Sequence, residues 1–93
     1  INLVVLCELV WVLESAYDFD KRDISDVLEK ILATKQFDIE QKDIARQAIH
    51  DYRRGSGDLA DYLIGRTNHA QGCDRTATFD RALKQSSLFE VLE

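Results

Sequence analysis

The stretch "SGDLADYLIGRTNHAQGCDRTATFD", residues 56–80, reads as a helix, a glycine stop and a short strand, with acids at the joints. Leu59, Ala60, Leu63 and Ile64 recur at helical spacing. Gly72 stands where a helix commonly ends in a left-handed residue. "CDRTATF" then supplies Thr76, Thr78 and Phe79, residue types that favour an extended chain. Helices alternating with short strands indicate an α/β domain with parallel pairing. Asp58 and Asp61 at the helix start, and Asp80 at the far end of the strand, need a reason other than burial.

The flanking sequence repeats this rhythm. "QKDIARQAIHDYRR" predicts a helix with Ile44, Ala48, Ile49 and Tyr52 turned inward, closed by "GSG" at residues 55–57. "QFDIE" alternates apolar and polar residues over Phe37, Asp38, Ile39 and Glu40 and predicts a short strand. Before it, Asp20 or Asp23 caps a helix whose apolar face is Ile24, Val27, Leu28, Ile31 and Leu32. The opening run "INLVVLCELVWVL", continuing through "ESAY", predicts a buried helix from about Val4 to Tyr17. Leu6, Leu9, Val10, Leu13 and Tyr17 form its core stripe. Trp11 and Val12 lie on its other faces, so cover on more than one side is expected. After Asp80, "DRALKQSS" gives a helical turn or two and "LFEVLE" a closing strand. The expected architecture is a single three-layer α/β/α domain over residues 1–93 with a short, largely parallel central sheet.

Composition narrows the function. The 93 residues are 45% hydrophobic and 31% charged, which is globular rather than disordered composition. No apolar run is long enough to cross a bilayer. A net charge of −5 is unlike the basic balance of most nucleic-acid-binding domains, but it permits an acidic catalytic cluster or a basic partner. Cys7 and Cys73 show no metal-ligand spacing, which argues against zinc. As small buried thiols they suit a reducing, cytoplasmic setting. The chain opens without methionine or a polar lead-in, and Glu8 interrupts the apolar run, so no signal peptide is read. A start inside a domain is expected.

In open parallel sheets, ligands bind beyond the carboxyl ends of the strands, which is where Asp80 falls. Asp61 lies in the first turns of the preceding helix. Asp58, three residues earlier, is either a helix cap or a second acid of the same face. Glu8 sits inside an apolar helix, where a carboxylate is costly unless a cation, a donor or a metal compensates it; the alternative is that it faces solvent. Oxygen-only ligands of this kind suit Mg²⁺ or Mn²⁺, and metal-assisted phosphodiester hydrolysis is the chemistry that follows.

"VVLCELVWVLESAY", "GDLADYLIG" and "GCDRTATFD" together resemble the PIN-domain ribonucleases, and in particular the VapC-type toxins of toxin–antitoxin pairs. The resemblance runs over the whole chain in the right order. It implies an acidic Mg²⁺ or Mn²⁺ site for RNA cleavage at one edge of the sheet, a cognate antitoxin and a homodimer. By the same resemblance Glu8 matches the acid of the "CEL" helix, and Asp58 and Asp61 those of the "DxxDxLI" stretch. Asp80 matches the acid of "TFD", with Thr78 the hydroxyl that supports it. The likeness begins after the family's first strand, which carries an aspartate in a "DTN"-like motif, so one ligand and one central strand are expected to be missing from these residues. An inactive fragment serving as a partner-binding module, and an RNA-processing nuclease without antitoxin, are the alternatives.

Arg53, Arg54, Arg75 and Arg81 are candidates to hold RNA phosphates beside the acids; a solvated charged face is the plainer reading. Gly65 and Arg66 depart from the small apolar residues usual after "LI", and Arg66 is open to solvent, RNA or an antitoxin carboxylate. His50 and His69 read as surface or structural residues. Tyr52, Tyr62 and Trp11 read as packing residues rather than platforms for bases.

Overall fold

Local signals start and stop the helices before any packing is considered. In the computed structural model, which describes residues 1–92, the Asn2 side chain accepts a hydrogen bond from the Val5 amide at 2.9 Å and opens α1 (Leu3–Ala16). Asp20, not Asp23, caps α2 (Lys21–Ala33), accepting from the Asp23 amide at 2.9 Å. Helix α3 covers Lys42–Arg54 and α4 covers Leu59–Ala70. At the end of α4, Gly72 adopts φ 97°, and its amide donates to the His69 carbonyl while Cys73 donates to Asn68. That pair of bonds is a Schellman stop, and the positive φ is the reason for glycine.

The rest of the described chain is β1 (Thr76–Thr78), a 3₁₀ turn (Arg81–Leu83) and β2 (Phe89–Val91). The strands pair in parallel, with Thr76 opposite Phe89, Ala77 opposite Glu90 and Thr78 opposite Val91. The α/β class and the parallel pairing are those expected from the sequence. Among the described residues the sheet has two strands. The strand expected over Phe37–Glu40 does not form. That segment instead bonds to the start of the chain: Glu40 donates to the Ile1 carbonyl at 3.0 Å, and the Ile1 amino group donates to Asp38. An alternating pattern gives a ladder only where a long enough partner lies alongside.

Leu28, Ile24, Ala45, Ala48, Ile49 and Tyr52 pack α2 against α3, and Leu59, Tyr62 and Leu63 carry the core on to Leu83, Leu88 and Phe89. Two expectations fail here. Ala60 and Ile64 of α4 are exposed, Ile64 by 53%. Helix α1 buries Leu6 and Val10 and half-buries Leu9 and Leu13, but Tyr17 and Trp11 are 64% and 66% exposed. The cover expected on several sides of α1 is absent among the described residues.

Gly65 sits where α4 crosses the sheet. A Cβ there would meet Cζ of Phe89 at 2.7 Å and Cε2 at 2.9 Å. The Phe89 ring also meets Tyr62 edge-on, with centroids 6.4 Å apart. Close approach of helix to ring therefore explains this glycine. Gly65→Ala is expected to destabilise the fold by about 1–3 kcal/mol through overpacking, despite the gain in helix propensity. Urea unfolding with an unchanged m-value would register this loss; an equal or higher midpoint would refute it.

Candidate metal centre

Asp58, the N-cap residue of α4, makes no side-chain capping hydrogen bond among the described residues. Asn2 and Asp20 hold the same helix position and do cap. The reading of Asp58 as a simple cap therefore loses its support, and its carboxylate stays free for other use. Asp61 follows one turn later, half-buried. Burial pushes its pKa up, the charges of Asp58 and Asp80 push it further, and a hydrogen bond with the Asp58 backbone opposes them. Asp58, at the start of α4, and Asp80, after β1, thus both act on Asp61.

Asp80 is partly committed. Its Oδ1 accepts from the Ala82 amide at 2.9 Å, capping the 3₁₀ turn, and its own amide donates to Thr78 Oγ1 at 3.1 Å. Thr78 thereby holds the bend after β1, and Asp80 keeps one carboxylate oxygen outside that capping bond. The donor set is oxygen-only, crowded with negative charge and partly desolvated, which suits a hard divalent cation. The fit is incomplete: among the described residues, no group of three His, Cys, Asp or Glu side chains is close enough to hold a metal ion.

Glu8 is not brought to these acids. It is exposed on α1, lining a shallow groove with Val4, Cys7 and Trp11. The α1 acid that faces Asp58 is Glu14: both line a cavity of about 230 Å³ between α1 and the start of α4, together with Trp11 and Ser15. Lys21 lies nearby, a residue that no local sequence pattern singles out. Its Nζ donates to the carbonyls of Tyr52, Gly55 and Gly57 at 3.2, 2.9 and 2.6 Å and stands 4.4 Å from the Tyr52 ring centroid. Burial lowers the Lys21 pKa, while Asp58 and Glu14 raise it. The Tyr52 hydroxyl is buried with no partner among the described residues. Burial, then Glu14 and Asp58, push its pKa up to about 12.

The basic candidates separate. Arg53, exposed, reaches from α3 to α2, 3.2 Å from Asp26 and 3.5 Å from Glu29. Arg66 forms a bidentate, half-buried pair with Asp51 at 2.6 and 2.8 Å that joins α4 to α3. Arg54 lines a cleft of about 460 Å³ with Ser56, Gln85, Ser87 and Ala82, two residues from Asp80. Arg75 and Arg81 are exposed. Tyr62 is buried, its hydroxyl accepting from the Gly57 amide at 3.0 Å. His50 approaches Arg54 at 3.4 Å, and His69 is exposed in the last turn of α4. Cys7 and Cys73 are free thiols, Cys73 exposed rather than buried as expected.

Because burial and two like charges raise the Asp61 pKa in the folded state, the fold binds that proton more tightly than the unfolded chain does. Stability is therefore lost as pH rises through the raised value. Metal-free Asp61→Asn is expected to melt higher than the parent at neutral pH, with the advantage vanishing once both states are protonated in acid. Melting curves across that range check this; a large loss at neutral pH would make Asp61 a structural acid instead.

No family model matches the chain, and no solved structure matches it. Among the described residues no helix is long and apolar enough to cross a membrane. The chain is similar to the VapC ribonuclease of Aquifex aeolicus (strain VF5), with 33% identity over 81 residues. Those residues are 87% of this chain and 60% of the relative, so the chain spans about three-fifths of the length of the curated relative it resembles.

Proposed function

We propose that this chain carries the acidic centre of a VapC-like ribonuclease, dependent on Mg²⁺ or Mn²⁺ and held in check by a cognate antitoxin. The observation that carries this reading is the placing of Asp58, uncapped at the head of α4, one turn before Asp61, with Asp80 near enough for its charge to act on Asp61. The similarity to a protein named as a VapC ribonuclease supports it. Glu8 enters through the resemblance alone, since its side chain lies on another face of α1.

In this reading Asp61 and Asp58 supply carboxylate oxygens from one turn of α4. Asp80 supplies its uncapped oxygen from the end of β1, with Thr78 holding the bend. A Mg²⁺ or Mn²⁺ held by these carboxylates would supply Lewis acidity toward a water and would offset charge on the phosphate and leaving oxygen. Arg54, in the cleft that Ala82 also lines, meets a backbone phosphate that the acids alone would repel. The substrate is RNA, and the working unit is a homodimer.

A second reading has its own observation. Val4, Trp11 and Ile64 are 67%, 66% and 53% exposed, an apolar surface that suits a module whose work is partner binding.

Cleavage of a mixed RNA pool with Mn²⁺, with and without chelator, tests the first reading. Chelator is expected to stop cleavage, and Asp61→Asn to slow it by more than the ~100-fold typical of losing a ligand's supporting partner. Arg54→Ala is expected to raise KM roughly fivefold, the ~1 kcal/mol of one exposed charge contact, whereas Arg53→Ala leaves KM unchanged. Cleavage that survives both chelator and Asp61→Asn would end the metal reading. A folded protein that cuts nothing with Mn²⁺ would leave the partner-binding one.

A further inference from the structure

Lys21 is out of place by the rules of its own helix. It occupies the first position of α2, where the helix dipole disfavours a cation. Its side chain leaves α2 for the far end of α3. There the last carbonyls of a helix lack intrahelical donors and carry partial negative charge. An ammonium has three protons to donate, and each has a carbonyl: Tyr52 in the last turn of α3, Gly55 at its cap and Gly57 beyond it. The Tyr52 ring closes over the same group.

Those three carbonyls span the whole turn from α3 to α4, and Asp58 is the next residue. Gly55 donates to the Asp51 carbonyl at 2.8 Å, and Gly57 donates to Tyr62 Oη at 3.0 Å. A Cβ on either glycine would run into Tyr62, and one on Gly57 into Leu83 as well. The turn is therefore held from below by packing and from above by the Lys21 ammonium. Without a side-chain cap of its own, Asp58 is oriented by the backbone that carries it, and that backbone is what Lys21 grips.

We propose that Lys21 is a positioning residue for Asp58: by clamping the carbonyls of Tyr52, Gly55 and Gly57 it fixes the entry into α4, and so sets the Asp58 carboxylate beside Asp61. The proposal rests on the reading of these acids as metal ligands only for its consequence in ion binding; the clamp itself is a statement about the metal-free chain.

The test therefore has two arms on the full chain. In the metal-free arm, hydrogen exchange is compared between the parent and Lys21→Met, which keeps the apolar stem. The amides of Gly55, Gly57, Asp61 and Tyr62 are expected to exchange about tenfold faster, with those of β1 and β2 changed by less than about twofold. Unchanged protection in the turn, or equal acceleration everywhere, overturns the clamp. In the second arm Mn²⁺ binding is followed by its electron paramagnetic resonance signal. Lys21→Met is expected to weaken binding about tenfold, while Leu32→Ala, which loosens the α2 core away from the turn, leaves it within about twofold of the parent. Equal Mn²⁺ affinity in the parent and Lys21→Met overturns the positioning role. A parent that binds no Mn²⁺ defeats the metal reading alone, and the exchange arm still decides the clamp. Should Lys21→Met not fold, Lys21→Arg serves in both arms: a planar guanidinium keeps the charge but cannot aim three protons at three converging carbonyls, so about threefold effects in the same directions are expected, and parent-like values overturn the proposal.

Discussion

The contact of Gly65 with the Phe89 ring determines how closely α4 lies on the sheet, and the candidate centre depends on that closeness. Helix α4 brings Asp58 and Asp61 at one end, while β1, paired with the strand that holds Phe89, ends two residues before Asp80. Were the helix lifted by one methyl group, the acids of α4 and the acid after β1 would move apart together. The Arg66–Asp51 pair fixes the same helix against α3. One side of α4 is thus settled by shape and another by paired charge, and its first turn is left to carry acids that do nothing for stability.

Of these acids, Asp61 opposes the fold. Ionised Asp61 is pressed by burial and by two like charges, a cost that a bound cation would remove. A local cost to stability of this kind is what the proposed metal-binding role of these residues would require. Lys21 feels the charge of Asp58, yet its three protons go to backbone carbonyls rather than to a carboxylate. The negative field between Asp58 and Asp61 is therefore shaped, not cancelled, by its neighbours.

The apolar surface of α1 and α4 follows a different logic. Leu3, Val4, Cys7, Ala60, Leu63 and Ile64 line a groove between the two helices. Around it the periodicity of α1, which reads as a helix wanted on several sides, meets solvent at Val4, Val5, Trp11 and Val12. Its hydrophobic content exceeds what α2 and α4 cover, so most of its apolar surface is available for contact with other chain.

The sequence by itself determined the four helices, the stop at Gly72, a start for α2 at Asp20 or Asp23, the strands around Thr76–Thr78 and near the C-terminus, and the placing of Asp58, Asp61 and Asp80 at element ends. These are local matters, settled by the period of apolar residues and by turn chemistry within a few positions. Tertiary structure decided the rest. It replaced the expected strand at Phe37–Glu40 with contacts to Ile1. It divided two adjacent arginines, giving Arg53 to Asp26 and Glu29 and leaving Arg54 at a cleft. It turned Glu14 rather than Glu8 toward Asp58, and it sent Lys21 to carbonyls 31, 34 and 36 residues away. No pattern within one helix can signal such pairings, because the partner's position depends on how two helices cross, and only the packed core sets that.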